Sequence, residues 1–578
     1  MRSEYRIVVE RDLQMRARDG VTLVSDVHRP DADGKFPALV LRTPYNKANA
    51  ADQTEASFFV PKGYVVVVQD VRGLWKSDGE FYPKVSDGSD GFDTIEWVAA
   101  LPWCNGKVGM LGQSYVAYTQ LAAASKRPPH LRAISPVAGS AALNRSRGGI
   151  LDFGWALPYY LNMARVLVKR KGLSERYRPL FERWLVNPKA PFSLVTDEGY
   201  RHLPLRDWGE WFGDVAPFLK DLFDLEPDNA LWREHDFALH PESFAVPALH
   251  VGSWYDAFLP DTIAMFTGLR DHARTDNARC GQKILVGPWA HLFPFAKPTS
   301  GGTGEIDFGP EAAISLHEYQ LPWLERELKG IKPSDEETPR VRIFVMGTNT
   351  WRNENEWPLA RTVYTSLFLH SSGAANSLNG DGILDFKSPE TERHDTYIYE
   401  PDAPCPTRGG TGLALALGVY DQRPVENRPD VLVYTSTPSE QNLEITGPLR
   451  LELYASSSAR DTDFIAKLID VAPSGYAQNL AEGAIRARYR KSIGDPQFLE
   501  AGMVYKLDID LVATSHVFLR GHSIRLEITS SNFPRYDRNP NTGQPLGSDS
   551  SQIAAVQKVF HDVAHPSHLR LPIIPISK

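Results

Sequence analysis

Cysteine is scarce in this sequence, with three residues in 578: Cys104, Cys280 and Cys405. Their number is odd, their spacing is wide and no Cys-x-x-Cys pair occurs, which excludes a disulfide framework and a thiolate zinc site. Such sparse cysteine usage is typical of a protein from a reducing compartment.

Long apolar runs are absent as well. The sequence contains no stretch of about 18 apolar residues, which is the length that could span a bilayer. Residues 1–15 carry Arg, Glu and Asp throughout, and they lack the apolar core of a signal peptide. We therefore expect a cytoplasmic protein.

Basic residues are not in excess and form no long run. Lys and Arg number 63 against 71 Asp and Glu, which gives a formal net charge of −8. Proteins that bind nucleic acids or anionic membranes usually present a basic patch. We expect neither of these partners.

Nucleotide and metal motifs are also missing. The sequence has no P-loop and no Gly-x-Gly-x-x-Gly after a strand. Asp87, Asp90 and Asp93 recur every three residues, but with no His or Cys nearby an acidic face at a helix N-terminus is the better interpretation. We expect no cofactor and no metal.

The first part of the chain alternates between strand and helix patterns. The runs 36–41, 64–69 and 107–112 are short and mostly apolar, as expected of strands buried in a parallel sheet. Residues 90–100 and 115–125 predict helices. Strands that alternate with helices indicate an α/β fold.

The pattern changes twice further along. Residues 142–240 are rich in aromatics and read as several inserted helices, after which strands resume at 246–252 and 283–287. Residues 314–328 predict a helix. Beyond Pro358, period-two alternation predicts a β-sandwich or jelly roll. We divide the chain into an α/β-hydrolase domain (1–142 and 242–358), a helical cap insertion (143–241) and a jelly-roll domain (359–578).

The central motif is Gly112-Gln-Ser-Tyr115, between a predicted strand and a predicted helix. A serine on a tight strand-to-helix turn is the nucleophile elbow of α/β-hydrolases. A glycine two residues before a serine is by itself a weak signal, and Val116 stands where the second glycine of the motif is usual. The alternative is that Ser114 is the N-cap of an ordinary helix. The strand–turn–helix context favours Ser114 as a nucleophile.

A serine nucleophile needs a base, and the base needs an orienting acid. Asp256 directly follows strand 248–251, and His291 directly follows strand 283–286. The order Ser, Asp, His is that of α/β-hydrolases, and both loops open at the carboxyl end of the sheet. His250, inside a strand, is interpreted as structural.

Short segments along the chain form a recognisable series. They are Arg42-Thr-Pro-Tyr45, Gln69-Asp-Val-Arg-Gly73 with Ser77-Asp-Gly-Glu-Phe81, Pro102-Trp-Cys-Asn-Gly-Lys-Val-Gly109, Gly112-Gln-Ser-Tyr115, Trp254-Tyr-Asp256, Gly287-Pro-Trp-Ala-His291, Val341-Arg-Ile-Phe-Val-Met-Gly347, Trp351-Arg352, Thr462-Asp-Phe464 and Ser530-Ser-Asn-Phe-Pro-Arg-Tyr536. In this order they resemble the cocaine-esterase-like serine hydrolases, a family related to X-Pro dipeptidyl-peptidases and α-amino-acid ester hydrolases.

The resemblance implies a role for each matching residue. Ser114 would be the nucleophile, His291 the base and Asp256 the orienting carboxylate. The oxyanion hole would combine the backbone N–H of Tyr115 with the hydroxyl of Tyr45. The family usually reads Gly-x-Ser-Tyr-x-Gly, and Ala117 departs from it at the last position, where a methyl group could shift the helix against the sheet.

The resemblance also bears on the substrate. Trp155 and Phe258 would line the acyl side of the pocket, with plain core packing as the alternative. We expect a serine carboxylesterase for small-molecule esters with aryl or bulky apolar acyl groups. An X-Pro dipeptidyl aminopeptidase, an α-amino-acid ester hydrolase or a β-lactam-type acylase is the first alternative. A carbohydrate-binding jelly roll with an inactive hydrolase part is the second. A homodimer is suggested by the family alone.

Overall fold

The structure is a computed structural model that describes residues 4–143, 146–291, 293–294, 302–332, 339–413 and 415–575. Its first sheet is built from ten strands in this part of the chain. They are β1 (Ile7–Arg16), β2 (Thr22–Pro30), β3 (Phe36–Thr43), β4 (Val65–Asp70), β5 (Cys104–Gln113), β6 (Leu131–Val137), β7 (Leu249–Ser253), β8 (Lys283–Gly287), β9 (Val341–Val345) and β10 (Thr350–Glu354).

The spatial order of this sheet is β1-β2-β4-β3-β5-β6-β7-β8-β9-β10. In this spatial order, the seven strands β4-β3-β5-β6-β7-β8-β9 are parallel to one another. Strands β1 and β2 at one end and β10 at the other extend the sheet through antiparallel pairs. Parallel strands end at one edge, so the loops after β3, β5, β7 and β8 open together.

A second sheet follows in sequence. Its strands are β11 (Val363–His370), β12 (Ile383–Asp385), β13 (Asp395–Tyr399), β14 (Leu432–Ser436), β15 (Leu443–Ser457), β16 (Asp463–Val471), β17 (Ala477–Arg486), β18 (Tyr505–Phe518), β19 (Ser523–Thr529), β20 (Ala555–Phe560) and β21 (His568–Ile573). Their order is β13-β20-β15-β21-β11-β12-β14-β19-β16-β17, and β18 also pairs with β15. Nearly all pairs are antiparallel, as the period-two sequence pattern predicts.

Most helices cover the first sheet or form the insertion. The helices are α1 (Ala50–Phe59), α2 (Asp87–Ala100), α3 (Tyr115–Ser125), α4 (Phe153–Arg170), α5 (Ser174–Trp184), α6 (Asp197–Arg201), α7 (Asp207–Phe212), α8 (Pro217–Asp224), α9 (Ala230–Glu234), α10 (Leu259–His272), α11 (Asp276–Cys280), α12 (Leu316–Leu324) and α13 (Arg423–Glu426). Helix α13 lies in the chain between strands β13 and β14 of the second sheet. No helix in these described ranges combines the length and apolarity that a bilayer crossing needs.

The first sheet is covered on both faces. In β4, Val65 and Val67 pack with residues of α2 and α3, whereas Val66 and Val68 pack with residues of α1 and α12. All six residues of β4 are buried. This explains why β4 is a continuous apolar run rather than an alternating one.

The predicted mixture of an α/β unit and a β-rich C-terminal unit is confirmed, and α3 and β8 have the predicted bounds. The jelly-roll topology and the domain boundaries remain predictions. The predicted helix 314–328 is shorter than expected: α12 covers 316–324 and a π-helical turn covers 325–329. Pro322 lacks an amide hydrogen for the α-helical ladder, which favours such a change of winding.

Candidate active site

Ser114 occupies a sharp turn between β5 and α3. Its backbone angles are φ 64° and ψ −119°, in a region that non-glycine residues rarely adopt. The amide of Ser114 donates to the carbonyl of Val137 over 2.9 Å, and its own carbonyl accepts from Ala117 and Tyr118. The strained turn is therefore held by strand β6 on one side and by the first turn of α3 on the other.

Small residues allow the close approach of helix α3. A Cβ atom on Gly112 would lie 2.4 Å from Cγ1 of Val116, and one on Gly139 would lie 2.6 Å from Cβ of Ala117. The methyl group of Ala117, which departs from the family motif, is thus accommodated by the missing side chain of Gly139. Sequence reasoning did not identify Gly139, because it lies after β6, far from the motif.

Asp256 and His291 meet at the same edge of the sheet. Nδ1 of His291 lies 2.6 Å from Oδ2 of Asp256, and Oδ1 of Asp256 accepts the amide of Phe258 over 2.7 Å. The Asp256 side chain is fully buried and that of His291 is 18% exposed. An ionised carboxylate only accepts hydrogen bonds, so it fixes the imidazole proton on Nδ1 and leaves Nε2 as an acceptor.

The serine and histidine loops are joined directly. Nε2 of Gln113, the residue before Ser114, donates to the carbonyl of His291 over 2.8 Å. This contact spans 178 positions of the chain. It fixes the histidine loop beside the strained turn.

The loop that carries Tyr45 follows β3, the neighbour of β5, and is firmly anchored. The amide of Lys47 donates to Oδ1 of Asp70 over 2.7 Å, and the buried Nζ of Lys47 lies 2.8 Å from Asp12 and 2.6 Å from Asp26. Burial, opposed by the amide of Lys47, raises the pKa of Asp70 to about 6. Tyr45 therefore extends from a rigid loop at the carboxyl edge of the sheet.

Tyr115 follows Ser114 directly and places its backbone amide at the start of α3. It is the first residue of α3, where helix amides have no partner inside the helix and can face a developing negative charge. Its side chain is buried, and its hydroxyl accepts the amide of Lys84 over 2.7 Å. The side chain is thereby committed to the protein interior.

An aromatic wall stands beside the histidine. The ring centroids of Phe258 and His291 are 5.4 Å apart, Trp155 packs edge-on against Phe258 at 5.8 Å, and Tyr159 stacks on Trp155 at 5.1 Å. Burial raises the pKa of Tyr159, and the nearby Tyr45 contributes to the rise. The wall thus extends from the His291 side of the site to the Tyr45 side.

Tyr159 was not predicted from the sequence. It lies four residues after Trp155, on the same face of α4, and this spacing is the signal that could have identified it. The predicted residues Trp155 and Phe258 are buried, and they contact each other.

Other candidate groups are engaged in structure. Asp87 and Asp90 lie in the first turn of α2, where they pair with the buried Arg42 at 3.1 and 3.6 Å. Asp93 pairs with Arg18 at 2.6 Å. Burial lowers the pKa of His250 to about 4. Over the described residues, no group of three or more His, Cys, Asp or Glu side chains could hold a metal ion.

A second serine, Ser371, also lies near a histidine and a carboxylate. Its Oγ lies 3.1 Å from Nε2 of His561, whose Nδ1 lies 3.0 Å from Glu392. However, Asp395 also contacts that Nε2 atom, at 2.9 Å. Although burial opposes it, hydrogen bonding to Asp395 and Glu392 raises the pKa of His561. Because a carboxylate only accepts hydrogen bonds, Nε2 of His561 donates to Asp395 and is not available as a base for Ser371, so we interpret this group as structural.

Comparison with known proteins identifies two matching families. Residues 19–293 match the X-Pro dipeptidyl-peptidase (S15 family), and residues 334–570 match the X-Pro dipeptidyl-peptidase C-terminal non-catalytic domain. The first match includes the turn at Ser114, Asp256 and His291. The second covers most of the second sheet.

Relatives match the chain over almost its whole length. The cocaine esterase of Rhodococcus sp. (strain MB1 Bresler) is 37% identical over 98% of both chains. The structure of an aminopeptidase from a marine sediment archaeon, Thaumarchaeota archaeon, is 25% identical with a TM-score of 0.82, covering 99% of this chain and 97% of its own. An α-amino acid ester hydrolase shares the fold with a TM-score of 0.81 and 24% identity, covering 98% and 96% of the two chains. The chain therefore belongs to the cocaine-esterase-like serine hydrolases.

Proposed function

We propose that this serine hydrolase is a carboxylesterase in which Ser114, His291 and Asp256 form the catalytic triad. The observation that carries the proposal is the 2.6 Å contact between His291 and Asp256, at the sheet edge where Ser114 occupies a strained turn. The chain order Ser, Asp, His is that of α/β-hydrolases, and the contact between His291 and Asp256 supports the pairing of base and orienting acid that such a triad needs.

The reaction proceeds in two acyl-transfer steps. Oγ of Ser114 attacks the ester carbonyl while Nε2 of His291 accepts the serine proton, and the imidazolium is stabilised by Asp256. His291 then donates that proton to the leaving alcohol. Water, deprotonated by His291, attacks the acyl-enzyme, and the acid product leaves with Ser114 reprotonated.

Tyr45 and Tyr115 complete the site. The hydroxyl of Tyr45 and the amide of Tyr115 donate to the oxyanion of the tetrahedral intermediate. A phenol can fill the place of a second amide donor, because it donates a short hydrogen bond to an alkoxide. The anchored loop around Lys47 holds Tyr45 in place before the substrate binds.

The aromatic wall favours an aryl or bulky apolar acyl group. Trp155, Tyr159 and Phe258 present apolar rings beside the histidine and carry no charge. An amino-terminal substrate would need a free carboxylate for its ammonium group. Asp152, three residues before Trp155, is the carboxylate next to the wall in the sequence. It is paired with the buried Arg535 at 2.5 Å and is therefore not free to bind an ammonium group.

Cleavage of amino-acid esters or of dipeptides from a chain is the second candidate. It is favoured by the match of residues 19–293 to the X-Pro dipeptidyl-peptidase family and by the likeness to an archaeal aminopeptidase. Both candidates use the same triad and differ only in how the acyl side is recognised.

A hydrolysis panel separates the two. The purified protein is compared with Ser114→Ala and with the control Ser57→Ala, whose exposed hydroxyl donates to the carbonyl of Gln53. The substrates are p-nitrophenyl acetate, benzoate and octanoate, an amino-acid ester and an X-Pro p-nitroanilide. We expect benzoate to be fastest and the anilide to stay intact. Preference for the anilide or the amino-acid ester would favour the second candidate, and equal rates in Ser114→Ala would refute the triad.

A further inference from the structure

A groove of about 840 Å³ crosses the outer side of the insertion. It is formed by the C-terminal half of α4, by α5, by residues 188–191 and by the ring of Trp75. Val166 contributes apolar surface to it, and the largely buried Val168 and Phe181 lie at its floor. None of the triad residues lines it, so it is separate from the candidate active site.

The charge of the groove contrasts with that of the chain. Five basic side chains line it against a single acidic one, Glu182, although the whole chain has a formal charge of −8. The basic residues are Arg165, Lys169, Arg170, Arg178 and Lys189. Lys169 and Arg170 are adjacent in the sequence, whereas Arg165, Arg178 and Lys189 join them only in the folded insertion.

Most of this positive charge is not neutralised by carboxylates. The guanidinium of Arg165 donates to the carbonyls of Pro188, Ala190 and Pro191, which are neutral acceptors. Arg170 likewise donates to the carbonyls of Trp75 and Ser77, at 2.6 and 2.7 Å.

The two lysines of the groove are free of carboxylates. Within the described part of the chain, no Asp or Glu lies within ion-pair distance of Lys169 or Lys189, and both lysines are exposed. Arg178 is the exception among the groove's basic residues, because it pairs with Glu175. The groove thus keeps a positive potential at its rim.

Apolar surface continues beyond the groove. Phe192 is 46% exposed, Val186 65% and Leu194 39%, and within the groove Trp75 is 39% exposed. A single exposed apolar side chain is common on protein surfaces, whereas a cluster of large ones usually marks a binding surface. The surface therefore joins apolar contact area to uncompensated positive charge.

We propose that this groove binds an amphipathic carboxylate, specifically a fatty-acid anion of medium chain length. The alkyl chain would cover the apolar walls, and the carboxylate would accept hydrogen bonds from Lys169 and Lys189 at the rim. The volume of the groove falls within the range of small-molecule sites, about 300–1,000 Å³. Its concave shape fits a single bound molecule better than it fits the flat surface of a membrane. The proposal rests on the groove alone and not on the triad.

Equilibrium dialysis with radiolabelled decanoate, below its micelle concentration, tests the proposal. We expect saturable binding at one site per chain, weaker binding of decanol and no binding of decyltrimethylammonium. The variant Lys169→Glu/Lys189→Glu should weaken decanoate binding about tenfold or more and should bind the cationic amphiphile better than the wild type. The control Lys35→Glu/Lys107→Glu carries the same charge change at exposed positions near the opposite edge of the sheet and should bind decanoate normally.

Three outcomes would overturn the proposal. Non-saturable uptake of all three amphiphiles would indicate nonspecific partitioning. Equal loss of binding in both double variants would indicate a net-charge effect. Binding to phosphatidylglycerol vesicles without binding of monomeric decanoate would assign the surface to a membrane instead.

Discussion

Oδ2 of Asp256 lies 2.6 Å from Nδ1 of His291, and the carboxylate is fully buried. The two residues follow neighbouring parallel strands, β7 and β8, so their meeting is a direct result of sheet geometry. The contact occupies Nδ1 of His291, so Nε2 is the atom that would take the proton of Ser114 in the proposed mechanism.

Replacing Asp256 by Asn tests this contact. The amide keeps the volume but can donate to Nδ1, which places the imidazole proton on Nε2 and removes the base. We expect kcat to fall by about 10³–10⁴-fold while the thermal unfolding temperature changes little. A kcat within tenfold of the wild type would exclude Asp256 as the orienting acid.

Removing only the hydroxyl of Tyr45 tests the oxyanion hole. Tyr45→Phe should reduce kcat by roughly 10²–10³-fold, because one donor to the tetrahedral intermediate is lost. KM for the preferred ester should change far less. Wild-type rates in this variant would remove Tyr45 from the site.

The anchor beneath the Tyr45 loop makes a separate prediction. Lys47→Met leaves the buried Asp26 without its 2.6 Å partner, so we expect the free energy of unfolding to fall by about 3 kcal/mol. The activity should fall too, because Tyr45 is less well positioned. In the Tyr45→Phe background, the same substitution should lower kcat little further.

Lys76→Met is the matched control for Lys47→Met. Nζ of Lys76 also contacts Asp12, at 2.5 Å, but its side chain is 61% exposed. An exposed pair of this kind contributes less than about 1 kcal/mol. If both lysine variants lost equal stability and activity, burial of Lys47 would not explain the anchoring.

The second sheet should show a pH-dependent stability. Burial, aided by the charge of Glu426 and opposed by Lys467, raises the pKa of Glu527 from 4.5 to about 8. Between these values the folded protein holds a proton that the unfolded chain has lost, so the free energy of unfolding decreases as pH rises through this range.

The variant Glu527→Gln should flatten this slope. Urea unfolding at several pH values between about 5 and 8 measures it, and the readout is the slope rather than the absolute stability. The exposed Glu400→Gln serves as a control and should keep the wild-type slope. A slope that Glu527→Gln leaves unchanged would contradict the raised pKa.

Local patterns predict the central elements well. The short apolar run 283–287 marks strand β8, and the turn at Ser114 marks the start of helix α3. Both are short-range signals. The antiparallel strands β1 and β2 were not predicted, because β1 mixes charged and apolar residues and half of it faces solvent. Its pairing with β2 depends on a long-range partner.

The candidate site follows the same division. Ser114, Asp256 and His291 could be placed together from the sequence, because each follows a predicted strand of a parallel sheet and the ends of such strands lie at one edge. The contact between Gln113 and His291 and the stacking of Tyr159 on Trp155 could not, because they depend on how distant segments pack. The net charge of the chain was equally uninformative about the groove, because Arg165, Arg178 and Lys189 join Lys169 and Arg170 only in the folded insertion.

Covalent labelling tests the central claim most directly. The protein is inactivated with a fluorophosphonate, digested and analysed by peptide mass spectrometry, with Ser114→Ala treated in parallel. We predict one equivalent of label on Ser114, loss of activity in proportion to labelling, and no label in the variant. Label on another serine such as Ser371, or full inactivation of the wild type with Ser114 unmodified, would contradict Ser114 as the nucleophile.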